Sequence, residues 1–153
     1  KTAKLFEAAT ELGSLIAGAP EDAITAASEY GRSLGTAFQL IDDVLDYSGN
    51  AADIGKNVGD DLREGKPTLP LIYLLQNGTD TQRSLVRDCI AQGDEAHFDE
   101  ILSAITQSGA LEYTRKRAAE ASQRAIEAIA GLPESGYKEA LTELAVFSVS
   151  RNH

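Results

Sequence analysis

Gly35-Thr36-Ala37-Phe38-Gln39-Leu40-Ile41-Asp42-Asp43-Val44-Leu45-Asp46 is the stretch on which the fold and the chemistry of this chain turn. Set out at about 100° per residue, Gln39, Asp42, Asp43 and Asp46 fall within about 60° of one direction, with Gly35 and Arg32 on the same face. Leu34, Ala37, Phe38, Ile41, Val44 and Leu45 fall opposite. The pattern predicts a helix that turns an apolar face to a core and a stripe of carboxylates and an amide the other way.

An acidic stripe on a helix is often only a solvated face, but this one is costly to leave bare. Aspartate is a poor helix former, and Asp42 with Asp46 is a like-charge i,i+4 pair, worth about 0.2–0.5 kcal/mol of destabilisation. No Lys or Arg stands three or four residues from Asp42, Asp43 or Asp46 to offset the repulsion. A divalent cation would. Oxygen ligands without histidine or thiol suit a hard ion, and incomplete protein coordination suits Mg²⁺, which keeps water and takes phosphate oxygens. The calcium-loop spacing is absent. Magnesium bridging to a phosphorylated substrate is the reading, with a helical scaffold whose acidic stripe faces solvent as its rival.

Working outward, helical periodicity dominates. The breaks fall at Gly18-Ala19-Pro20, Ser48 to Lys66, Asn77-Gly78, Gln92-Gly93, Ser108-Gly109 and Gly131-Leu132-Pro133. Helices are predicted at roughly 2–17, 21–47, from near Pro67, and at 79–92, 95–107, 110–130 and 134–151, about seven in all with no strand, an all-α bundle. In the first helix Leu5, Ala8, Ala9, Leu12, Leu15 and Ile16 share one face. Glu112 before Lys116 and Glu120 before Arg124 predict a solvated face near the end of the chain.

The chain has 153 residues, 42% of them hydrophobic and 25% charged, ordinary for one globular core. Its formal net charge of −10 repels nucleic acid and anionic membrane alike, so a phosphorylated ligand needs a local cluster of cations or metal ions. The single cysteine, Cys89, predicts a buried thiol rather than a disulfide, and His97 and His153 have no partners at metal spacing. No apolar run reaches the ~18 residues of a membrane span, and no signal-peptide core is present, which points to the cytoplasm. A start at Lys1 within an amphipathic pattern, with no methionine anywhere, reads as part of a longer chain.

The local cations come from the break that follows the acidic helix, Gly55-Lys56-Asn57-Val58-Gly59-Asp60-Asp61-Leu62-Arg63-Glu64-Gly65-Lys66-Pro67-Thr68. Its glycines permit tight turns, and Lys56 and Lys66 can swing back over the carboxylates. It is not a phosphate-binding P-loop, since that spacing and the preceding strand are missing. Arg32 shares the acidic face but has neighbouring acids to pair with.

These residues resemble the trans-prenyltransferases, or polyprenyl synthetases. The second aspartate-rich motif of that family, G-x-x-F-Q-x-x-D-D-x-x-D, is matched by Gly35, Phe38, Gln39, Asp42, Asp43 and Asp46. G-K-x-x-G-x-D is matched by Gly55, Lys56, Gly59 and Asp61 or Asp60, G-K-x-T-L-P by Gly65, Lys66, Thr68, Leu69 and Pro70, and the preceding Lys-Thr pair by Lys1 and Thr2. The likeness runs along the whole chain, which it makes the C-terminal part, residues 1–153, of a single isoprenoid-synthase domain. Tyr30-Gly31-Arg32 and Phe38 to Tyr47 look most like the long-chain, octaprenyl-type bacterial members.

The resemblance implies a Mg²⁺-dependent enzyme that adds isopentenyl diphosphate to an allylic diphosphate such as farnesyl diphosphate, the product serving quinone side chains. It implies Asp42 as a direct metal ligand, with Asp43, Asp46 and Asp60 acting directly or through water. Lys1, Lys56 and Lys66 would contact the allylic diphosphate, and Gln39 and Thr2 would face the reacting carbons. A homodimer is also implied. The first aspartate-rich motif of the family and its isopentenyl-diphosphate site precede the Lys-Thr pair, so this chain alone is expected not to turn over. Two alternatives stay open: a short-chain geranyl or farnesyl diphosphate synthase, and a non-catalytic subunit of a two-component prenyl synthase. The intact Asp42, Asp43 and Asp46 argue against the latter.

Overall fold

The structure, a computed structural model, describes residues 2–48, 59–92 and 97–151. Among these the chain is all-α, with α1 (Thr2–Ile16), α2 (Glu21–Ser48), α3 (Asp60–Arg63), α4 (Leu69–Asn77), α5 (Asp80–Gln92), α6 (Phe98–Gln107), α7 (Ala110–Ala128) and α8 (Gly136–Ser150). None of these helices is long and apolar enough to cross a membrane.

The fold class and the long helices follow the periodicity, and the differences have local causes. Helix α3 lies in the stretch read as wholly irregular; its acidic first turn, Asp60 and Asp61, and its last-turn Arg63 suit the helix dipole at both ends. Helix α4 starts at Leu69 rather than near Pro67, because Thr68 is extended and Pro70 occupies the first turn, where no backbone N–H is needed. Helix α8 starts at Gly136, with the Ser135 hydroxyl accepting the Lys138 N–H at 3.2 Å.

The described residues pack as two compact units, 2–41 with 116–151, and 42–115. In the first, Tyr30 and Leu34 of α2 pack with Ala125, Ile129 and Ala145, and the Tyr30 hydroxyl donates to the Leu141 carbonyl at 2.8 Å. Helices α1 and α2 approach closely through glycine. A Cβ on Gly35 would lie 2.7 Å from the Ala3 Cα, and one on Gly31 2.5 Å from the Phe6 carbonyl oxygen. The face of α1 that meets α2 is therefore the one carrying Ala3, Phe6 and Thr10. The apolar stripe read from the sequence lies elsewhere on α1, with Leu5 71% and Ile16 86% exposed.

In the second unit Tyr47, at the end of α2, packs with Leu62, Leu71, Leu74, Val86, Ile101 and Ile105, and Cys89 is buried among them as expected. Of the α2 positions assigned inward, Leu34, Ala37, Ile41 and Val44 are buried, while Phe38 and Leu45 are half-buried. Phe38 instead packs against Phe6 at 5.6 Å between ring centres, with the Arg151 guanidinium 4.0 Å over its ring. The solvated face expected on α7 is present, with Glu120 paired to Arg117 one turn earlier rather than to Arg124.

Candidate metal and diphosphate site

The end of α2 and the segment from Gly59 to Thr68 build a cluster of carboxylates around one lysine. Asp42 is exposed, Asp46 half-buried and Asp43 buried at 6% exposure. The sequence reading put all three on one stripe; Asp43 is its buried member, with the Lys66 ammonium of the returning segment beside it. The Lys66 ammonium stands 2.9 Å from each Asp61 carboxylate oxygen and 3.9 Å from Asp43 Oδ1. Burial lowers the Lys66 pKa, but the hydrogen bonds to Asp61 and the charges of Asp61, Asp43 and Asp42 outweigh it and hold Lys66 above its ordinary value.

Asp46 ties the two pieces together. Its carbonyl oxygen accepts the Gly59 N–H at 2.7 Å, and its Oδ2 accepts the Asp61 N–H at 3.1 Å. Burial pushes the Asp46 carboxyl up to about 6, with the Asp61 amide opposing and the negative charges of Asp61 and Asp60 adding to the rise. The turn that makes this possible is Gly59, at φ 78°, where any Cβ would also collide with the Phe98 ring.

Residue by residue, the structure brings some of the assigned side chains together and not others. Asp42, Asp43, Asp46 and Lys66 come together in this second unit. Asp60, named as a ligand, turns aside to Arg63 at 3.2 Å, and it is Asp61 that enters the cluster. Counting G-K-x-x-G-x-D from Gly55 puts its aspartate at 61, the signal that finds it. In the first unit the Thr2 hydroxyl donates to Gln39 Oε1 at 2.9 Å, joining two residues assigned together. Lys1, Lys56 and His153 lie outside the described residues. Arg32 is exposed and bonded to Glu29, and His97 is exposed with Nδ1 3.5 Å from Glu100. The sequence reading passed over the hydrogen bond between the hydroxyls of Tyr47 and Thr68, 2.9 Å long and buried.

Among the described residues no three carboxylates, histidines or cysteines converge as a ready-made metal cage. Lys66 stands between Asp43 and Asp61 instead. That arrangement still fits magnesium, which takes one or two carboxylates and fills its remaining positions with water and phosphate oxygens. Burial is the main cause of the raised Asp46 pKa, and the neighbouring negative charges of Asp61 and Asp60 add to it.

The described residues give a helical fold with carboxylates gathered around Lys66 beside the end of one long helix, and comparison with known proteins makes the class specific. The chain belongs to the polyprenyl synthetase family, whose profile matches residues 1–106. It is 51% identical over 154 residues to the octaprenyl diphosphate synthase of Haemophilus influenzae, across 100% of this chain and 47% of that protein. Against the octaprenyl diphosphate synthase of Escherichia coli the identity is 48%, across 99% of this chain and 47% of that protein. In structure it superposes with a TM-score of 0.90 on the polyprenyl synthase of Caulobacter crescentus complexed with calcium and isoprenyl diphosphate, at 42% identity, covering all of this chain and 47% of that one. The chain thus spans about half the length of the curated relatives it matches.

Proposed function

We propose that this chain is the part of a trans-prenyltransferase that holds Mg²⁺ and the allylic diphosphate. The whole enzyme adds isopentenyl diphosphate units to farnesyl diphosphate and makes a long-chain, octaprenyl-type product for quinone side chains. The observation that carries the reading is the Lys66 ammonium held over Asp43 and Asp61 beside a half-buried Asp46. The identity to octaprenyl diphosphate synthases supports the long-chain product over a geranyl or farnesyl one.

Departure of pyrophosphate from the allylic carbon builds negative charge on its oxygens and leaves a cation on the prenyl chain. When bound, Mg²⁺ supplies charge neutralisation at those oxygens. One or two of Asp42, Asp43, Asp46 and either Asp60, from the resemblance, or its neighbour Asp61 would hold it, and Lys66 would donate to the phosphate oxygens. Lys1 and Lys56 add donors in the same role by their motif positions. The Thr2 hydroxyl donates to Gln39 Oε1 and so fixes the amide that would face the allylic cation. Isopentenyl diphosphate attacks that carbon and loses a proton, extending the chain by one unit. A homodimer completes the reading, from the family resemblance.

Titration calorimetry with pyrophosphate, with and without Mg²⁺, tests the site directly. The protein should bind only with the metal, and Asp42→Ala should weaken binding at least about tenfold, the loss of one charge-assisted ligand. A bare acidic scaffold would bind nothing, and Asp42→Ala would slightly raise its melting temperature.

A further inference from the structure

We propose that the buried hydroxyl pair of Tyr47 and Thr68 is a latch that sets the position of Lys66 over the aspartates, which makes Tyr47 and Thr68 positioning residues for diphosphate binding. The inference rests on the function proposed above and adds to it residues outside the ligand set. Both are only 3% exposed, and their hydroxyls share a hydrogen bond of 2.9 Å. Tyr47 directly follows Asp46 on α2, and Thr68 stands two residues after Lys66. The bond therefore joins the aspartate helix to the lysine-bearing segment.

Thr68 is spent unusually. It is the N-cap residue of α4, where a threonine hydroxyl ordinarily accepts a backbone N–H of the first helical turn, yet its side chain makes no capping bond. Its hydroxyl goes to Tyr47 instead. The Thr68 backbone N–H reaches back to the Lys66 carbonyl at 2.9 Å, the Lys66 N–H bonds the Asp61 carbonyl at 2.9 Å, and Pro67 fixes the backbone between them. Lys66 thus hangs from an anchor at Thr68 on one side and from Asp61 on the other. Without the first anchor, the ammonium would be held by its ion pairs with Asp61 and Asp43, the contacts that a diphosphate must compete with.

Packing alone does not require these hydroxyls. Phe and Val have nearly the shapes of Tyr and Thr, and replacing both partners of a buried hydrogen bond by apolar groups of the same shape is close to neutral for stability. A structural role and a positioning role therefore separate. The experiment compares Tyr47→Phe/Thr68→Val, Lys66→Ala and the combination of all three with the parent, in the longest natural form of the protein, reading Mg²⁺-dependent pyrophosphate affinity and melting temperature. The latch predicts an unchanged melting temperature, an affinity weakened about fivefold in the Phe/Val pair, and no further loss when the pair is added to Lys66→Ala. Thr68→Ser, which keeps the hydroxyl, should retain the parent's affinity. Unchanged affinity in the Phe/Val pair, or the same loss on top of Lys66→Ala, overturns the latch and leaves the site reading standing. A parent that binds no pyrophosphate overturns both. Should the pair fail to fold, Tyr47→Phe alone in the same comparison decides.

Discussion

Asp46 shows what it costs to bury a carboxylate beside other carboxylates. Its carboxyl titrates at about 6 in the folded chain against an ordinary 3.8, so between those values the native state holds a proton that the unfolded chain has lost. A raised carboxylate pKa means stability that is present at low pH and is lost as pH rises through the folded value. Asp46→Asn stays neutral throughout. In metal-free buffer its melting temperature should therefore pull ahead of the parent's as pH rises from about 4 to about 6, and the gap should level off above that. Thermal scans across that range check it; a gap constant from pH 4 to 7 would contradict the placement of Asp46. At this scale the sequence was informative about which residues carry charge and poor on what covers them. The helical wheel sets Asp42 and Asp43 side by side and does not tell that one is exposed and the other buried, with Lys66 of the returning segment beside it. Motif spacing from Gly55 points to Asp61, and the structure adds that its backbone N–H donates to Asp46.

Among the elements, the crossing of α1 and α2 is the most sensitive to a single atom. In an exposed helix interior Gly→Ala gains about 1 kcal/mol of helix propensity. At Gly35 the added methyl would meet the Ala3 Cα at 2.7 Å, and backbone cannot rotate away as a side chain can. Gly35→Ala should thus lose about 1–3 kcal/mol by overpacking, read as a lower urea midpoint at unchanged slope. A midpoint at or above the parent's would mean that the two helices do not meet there. Long helices were legible because many periodic positions vote for them, and α2 came within a residue of its bounds. Four-residue α3 has too few positions to show a period. The α1 stripe shows the converse failure, since a period reports that a face is apolar without naming what lies against it; Leu5, Leu12, Leu15 and Ile16 are exposed in this chain.

For the whole molecule the governing fact is a formal charge of −10 on a protein proposed to bind diphosphates. The general field opposes the ligand, so affinity has to come from a metal and a few placed cations, and salt should screen that opposition more than it weakens the half-buried contacts. The chain also spans about half of its curated relatives, which is why elongation is proposed for the longer enzyme and diphosphate binding for this part. The most direct test incubates the longest natural form of the protein with farnesyl diphosphate, isopentenyl diphosphate and Mg²⁺ and determines product masses. An octaprenyl-length diphosphate, with none formed by residues 1–153 alone, is the predicted result. A folded long form that binds magnesium and pyrophosphate yet extends no chain would contradict the account.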